Sequence, residues 1–400
     1  MLAAVASVAL AAPAFAWDFG ASGSSTASFN STSTKASKDA TNTIASGGVT
    51  SSASSLKLSS SHTDGPKSLS LSYTLDWDGN LDETITLSGS SKVGDWTASG
   101  DVSYNRDRPG CYATDNGSGT ALVAATAGCQ GQTGEDTTAV TVTDGTMTIK
   151  LGDASHLSGQ NVSSNGAAAG AVSFDAADDD ASVGAFVGAF QGVSLGYKIS
   201  DTMSATVAYQ ASLDTADACG AGEAYDGEGA SHGITATGLG FSGTFGIASV
   251  GFTMCNAATA DAGTASVSPA STSTATSTMG IGVKLDLGDI DPFISFGTYS
   301  AVGSVSKAGA AYAGNEVGLT YALGNDTVVF YIGSVTEIVT PSGGVAGEAI
   351  TKSGMELGYN TMVGPASLKV GYGSQTHAQT GGSTDGYSMT DIEVAMTYGF

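Results

Sequence analysis

Ser68-Leu69-Ser70-Leu71-Ser72-Tyr73-Thr74-Leu75-Asp76-Trp77 alternates polar and apolar residues without a break. A β-strand turns successive side chains to opposite faces, so Leu69, Leu71, Tyr73, Leu75 and Trp77 share one face while the hydroxyls and Asp76 share the other. The same period of two returns at 193–200, 281–287, 317–323, 355–359, 368–372 and 392–400. Short turn signals join such runs in pairs. Asp144-Gly145 joins 138–143 to 146–152, and Ser200-Asp201 joins 193–200 to 203–212. Gly288-Asp289, Gly324-Asn325-Asp326 and Val363-Gly364-Pro365 do the same further on. Each reads as a hairpin.

Between hairpins lie longer stretches rich in Gly, Ser, Thr, Ala and Asp, at 107–137, 153–192, 213–232, 255–277, 303–314, 338–350 and 377–387. Short connections therefore alternate with long ones, the pattern of a membrane barrel with short periplasmic turns and long extracellular loops. Residues 233–260 contain no Asp, Glu, Lys or Arg, which raises a spanning helix as the rival. Glycines at 233, 238, 240, 243, 246 and 251 and the two-residue rhythm decide for strands. An outward apolar face with no helix to cover it needs lipid, and in lipid every backbone polar group must be paired, so the sheet must close. The expectation is an all-β, transmembrane, up-and-down antiparallel β-barrel. Seven strands before residue 192 and eleven after it give 18, with 16 as the alternative.

Composition agrees. The chain has 400 residues, 57 of them Gly, and a formal charge of −24 from 13 Lys+Arg and 37 Asp+Glu. Charged residues make up 12%, about half the ~25% of soluble domains. No basic stripe exists to replace the counterions of a nucleic acid. The 41% hydrophobic content, patterned as above, excludes an acidic disordered chain. Few charges and no long amphipathic helix argue against a soluble α/β enzyme. Gly192-Val193-Ser194-Leu195-Gly196 fits the form G-x-S-x-G, but Ser194 opens an alternating strand rather than a strand-to-helix turn. Gly238-x-Gly240-x-x-Gly243 crosses a strand, not the start of a helix. Both are chance matches in a Gly-rich chain.

Residues 1–16, MLAAVASVALAAPAFA, end in Ala14-Phe15-Ala16, a pattern that a signal peptidase accepts. The run is too short to span a bilayer. It is predicted to be removed, leaving 17–400 as a single barrel domain in a compartment that permits disulfides. Four cysteines at 111, 129, 219 and 255 fall in or beside predicted external loops. An even count predicts bridges, Cys111–Cys129 within one loop and Cys219–Cys255 between two.

The chain ends Ile392-x-Val394-x-Met396-x-Tyr398-x-Phe400. A terminal Phe with an aromatic two positions earlier resembles the outer-membrane barrel signature read by the barrel-assembly machinery. Residues 138–153, TAVTVTDGTMTIKLGD, resemble the hairpin before the constriction loop of general porins of alphaproteobacteria, the Rhodobacter type. The chain departs from that pattern in an extra hairpin at 81–105, in few basic residues and in a Ser/Thr-rich first strand. The resemblance implies a homotrimeric diffusion channel for small hydrophilic solutes in the outer membrane of a Gram-negative bacterium, bathed in its lipid, with no enzyme activity and no required cofactor. It also implies that 153–192 folds inward to narrow the pore. That stretch holds Asp175, Asp178, Asp179 and Asp180, the densest acidic cluster in the chain. Carboxylates lining a narrow pore attract cations. Lys57, Arg106 and Lys150 are the basic candidates for the facing wall. The same four aspartates are a candidate calcium site, since calcium takes oxygen ligands from flexible carboxylates, although their spacing matches no EF-hand. The alternative function is an acidic, β-rich surface-layer or adhesin-like structural protein.

Overall fold

A computed structural model describes residues 17–77, 81–108, 134–154, 156–157, 190–212, 233–260, 274–302, 310–339, 348–379 and 385–400. Eighteen strands run in order: β1 Asp18–Lys35, β2 Ile44–Asp64, β3 Lys67–Trp77, β4 Leu81–Val93, β5 Trp96–Arg108 and β6 Gly134–Thr143. Next come β7 Met147–Ala154, β8 Phe190–Ser200, β9 Met203–Ser212, β10 Gly233–Phe245, β11 Ala248–Ala260 and β12 Thr274–Leu285. The last six are β13 Ile290–Val302, β14 Ala310–Leu323, β15 Asp326–Val339, β16 Glu348–Val363, β17 Ala366–Gln379 and β18 Ser388–Gly399. All belong to one sheet in which sequence neighbours pair, and β1 pairs with β18 as well as β2. The sheet is therefore a closed antiparallel barrel of 18 strands, which settles the count left between 16 and 18. At the seam the Gly23 and Phe400 backbones exchange two hydrogen bonds of 2.7 and 2.9 Å.

The short connections lie at one end and use the turn chemistry read above. Gly324 and Gly364 have φ of 68° and 63°, a left-handed conformation that costs glycine nothing and a branched residue a great deal. At the other end the strands run further than the alternation predicts. β11 continues to Ala260 and β12 begins at Thr274, inside the loop expected at 255–277. β1 and β2 are likewise long, at 18 and 21 residues.

Two compact units are discernible, the first comprising Met1–Ala27, Thr50–Asp144 and Thr397–Phe400, the second Ser28–Val49 and Gly145–Met396. In the first, cross-strand ladders carry one character per face. Tyr73, Ile85 and Tyr104 stand side by side, as do Leu71, Leu87 and Val102. On the opposite face Thr86 and Ser103 share a hydroxyl hydrogen bond of 2.6 Å.

In the second unit, Val283, Ile294, Val317, Ile332 and Met355 form one row across five strands. The row next to it, on the other face, reads Gly282, Ser295, Glu316, Gly333, Gly354 and Gln375. Exposure is inverted relative to a water-soluble sheet: Ile332 is 53% exposed, whereas Glu316 is 5% and Gln375 2%. Apolar side chains face outward and polar ones inward, as in a barrel whose outside meets hydrocarbon. Inward glycines make room for larger neighbours. The Phe293 ring occupies the space where a Gly318 side chain would lie, and it packs with Val329 and Tyr331 as a small buried cluster.

Candidate solute pathway on the inner face

Alternation fixes which side chains can meet a solute inside the sheet. On β2, Lys57 pairs with Thr74, a residue of the inward row on β3, and its side chain is exposed there. On β7, Lys150 pairs with Ser194 and is flanked by the outward Ile149 and Leu151. Both lysines thus occupy the inward rows of their own units. Arg106 pairs with Glu83 on β4. Its side chain lies outside the described residues, as do Asp175, Asp178, Asp179 and Asp180.

The chain after β7 turns to the inner face at once. His156 is buried, with Nδ1 2.8 Å from Ser194 Oγ and Nε2 3.1 Å from the Gly152 carbonyl. A neutral ring donates from Nε2 to that carbonyl, leaving Nδ1 to accept from the Ser194 hydroxyl. Ser194 is buried within β8, so its hydroxyl is an anchor and not an exposed nucleophile. Leu157 is fully buried against β10: a Cβ built on Gly238 would stand 2.5 Å from its Cδ1 and 3.5 Å from the Ala208 methyl group. Nothing in the sequence around His156 singled it out. A polar pair across a strand, reached by the first residues after that strand's partner, leaves no periodic trace.

Below this anchor the inner wall is concave. A hollow of about 490 Å³ is bordered by Thr148, Lys150, Lys198, Ser204, Thr206 and Ser242, with His156 at its edge. Lys198 holds Asp201 in the β8–β9 turn at 2.7 Å. The lysine ammonium and its hydrogen bond keep the Asp201 carboxyl below the usual carboxylate range. Further round, β14 and β16 contribute the buried acids Glu316 and Glu356, the latter hydrogen-bonded by the Tyr331 hydroxyl. Sequence reading missed both acids. Their signal was available: each alternates with outward residues, Glu316 between Asn315 and Val317 and Glu356 between Met355 and Leu357.

Cys255 corrects the expected cysteine placement. It is not in a loop but within β11, on the inward row opposite Gly238, fully buried and disulfide-bonded. Cys111, Cys129 and Cys219 lie outside the described residues. Tyr398 and Phe400 stack with ring centroids 6.1 Å apart, and both are exposed. Among the described residues no group of three His, Cys, Asp or Glu side chains could hold a metal ion.

No protein-family model matches the sequence, and no curated protein matches it. Solved structures do match in fold. The outer membrane channel DcaP of Acinetobacter baumannii is similar over 96% of this chain and 97% of its own, at 13% identity and a TM-score of 0.53. Pseudomonas aeruginosa OpdQ matches over 96% of this chain and 98% of its own, at 11% identity and 0.53. OpdL of the same organism covers 96% and 99%, at 11% and 0.50. At these identities the likeness establishes the fold, a closed barrel of the outer-membrane channel type.

Proposed function

We propose that the chain is an outer-membrane porin, a passive water-filled channel for small hydrophilic solutes and ions in a Gram-negative bacterium. One observation carries this reading: a sealed sheet whose apolar row is exposed and whose hydroxyl, amide and charged row is turned inward. Such a wall presents hydrocarbon-compatible side chains outside and hydrogen-bonding groups inside. A surface lattice of stacked strands has no need of the Gly23–Phe400 seam or of an outward apolar belt. The net charge of −24 supports a mild cation preference. The inward turn at His156 and Leu157 supports 153–192 as the constricting segment, with Lys150 on the inward row beside it and Lys57 on the inward row of its own unit. A homotrimer is the proposed assembly.

Reconstitution into a planar bilayer tests the reading. Discrete conductance steps are expected, and a salt gradient should give a reversal potential of the sign for cation selectivity. Absence of steps from folded, heat-modifiable protein would refute the channel, while the opposite sign would refute only the selectivity.

A further inference from the structure

The hollow on β7–β10 has a composition at odds with the rest of this acidic chain. Two lysines, Lys150 and Lys198, border it along with the single carboxylate of Asp201, among the hydroxyls of Thr148, Ser204, Thr206 and Ser242. Ser204 and Ser242 are already joined by a hydrogen bond of 2.9 Å across β9 and β10, so these groups are held in place rather than dangling. Lys198 is shared with Asp201, whose carboxylate stands out in solvent at 95% side-chain exposure. Lys150 has no ion-pair partner among the described residues. A half-exposed cation with no carboxylate partner among the described residues, on the inner wall of a chain of charge −24, leaves room for a mobile counter-ion.

The donors define its shape. No arginine borders the hollow, so the planar fork that grips a carboxylate edge-on is absent. Single-point donors instead border the hollow from four strands, which suits an acceptor with oxygens in several directions. Lysine ammoniums and Ser/Thr hydroxyls are both common phosphate partners.

Building on the channel reading above, we propose that this hollow is a binding site for a phosphate group, carried by the free anion or by a small phosphorylated solute. Lys150 supplies the principal charge, Lys198 the second, and the hydroxyls complete the tetrahedral oxygens. The site lies on the inner wall beside the His156 anchor, so a bound dianion would sit in the path of other ions.

The test uses the whole folded protein in two measurements. In a planar bilayer at alkaline pH, inorganic phosphate added to potassium chloride should lower the single-channel current saturably. Lys150→Gln should weaken that block roughly tenfold or more, the scale of one lost charge-assisted hydrogen bond. Lys284→Gln, which removes an equal charge elsewhere on the inner wall at the Lys284–Asp291 pair, should leave it unchanged. A second arm with glycerol phosphate separates the sources: block by inorganic phosphate alone assigns the free anion, and block by both assigns a phosphorylated solute as well. Phosphorus NMR line broadening on the detergent-folded barrel reads binding without any need for conduction. Normal conductance with no saturable block and no broadening overturns the site and leaves the channel standing. Equal weakening by both glutamine variants overturns it too, as general charge screening. Broadening that persists unchanged in Lys150→Gln overturns the role given to that lysine.

Discussion

Replacing Leu157 by Ala tests how firmly the chain after β7 is held to the inner wall. Leu157 is fully buried, and its methyl group fills the space over Gly238 that any side chain there would claim. Truncation removes three carbons from a tight contact, and Leu→Ala changes at buried sites cost about 2–5 kcal/mol. The His156–Ser194 and His156–Gly152 hydrogen bonds remain, each worth about 0.5–1.5 kcal/mol net. They cannot offset the larger loss, so local opening of residues 156–157 should rise by roughly 30-fold or more. Hydrogen exchange read by mass spectrometry over 150–157 measures that opening directly, because local unfolding exposes amides without melting the barrel. Heat-modifiable gel migration should be unchanged, since Leu157 belongs to no strand. Exchange over 150–157 equal to that of the parent protein would refute the claim that Leu157 is the anchor. Ser194→Ala should produce a smaller increase, and adding it to His156→Ala should change little further, because the Ser194 hydrogen bond is already lost with the ring.

Other outcomes follow from different parts of the sheet. Gly318→Val should abolish or severely reduce barrel formation, because the new side chain meets the Phe330 carbonyl and the Phe293 ring, whereas Gly89→Ala meets its neighbours at an ordinary 3.6 Å and should fold normally; the yield of heat-modifiable protein compares them. Ile281→Lys in the outward belt should destabilise the folded barrel by about 2–4 kcal/mol near mid-height, while Thr206→Lys on the inner face should cost far less, as read by urea titration of folding into vesicles. Lys38 and Asp385 join the chain after β1 to the chain before β18 through an ion pair of 2.7 Å and a backbone hydrogen bond of 2.7 Å. The Lys38 hydrogen bond and charge hold the Asp385 carboxyl below its usual range, and Asp385 in turn raises Lys38. The contribution is therefore complete between the two ordinary values, lost as pH falls through the depressed acid value and lost again as pH rises through the raised amine value. Amide protection of 36–40 against pH should trace that plateau, and Asp385→Asn should flatten it.

The sheet was readable where lipid imposes contrast. Val193 to Ile199 alternates with Ser194 to Ser200 because one face must be apolar and the other must not. Beyond the belt nothing requires an apolar outer face, and the contrast fades. Cys255-Asn256-Ala257-Ala258-Thr259-Ala260 carries small residues on both sides, so β11 looks finished at 254 although its hydrogen bonds continue. The long Ser/Thr strand β1 hid its length in the same way. Lys57 and Lys150 could be placed because Leu56, Leu58, Ile149 and Leu151 announce the outward parity beside them. The His156 anchor and the hollow beside it depend on which strands stand together, and that information resides in the register rather than in any local window.

The Thr26–Thr397 hydrogen bond of 2.7 Å spans 371 residues of chain, and the neighbouring Gly23–Phe400 bonds complete the same junction. Until β18 is in place, β1 and whichever strand was last added each present a full unsatisfied ladder to their surroundings. Such a distant partner cannot be found quickly by local zippering. A chain built this way spends its unfinished life with two adhesive borders.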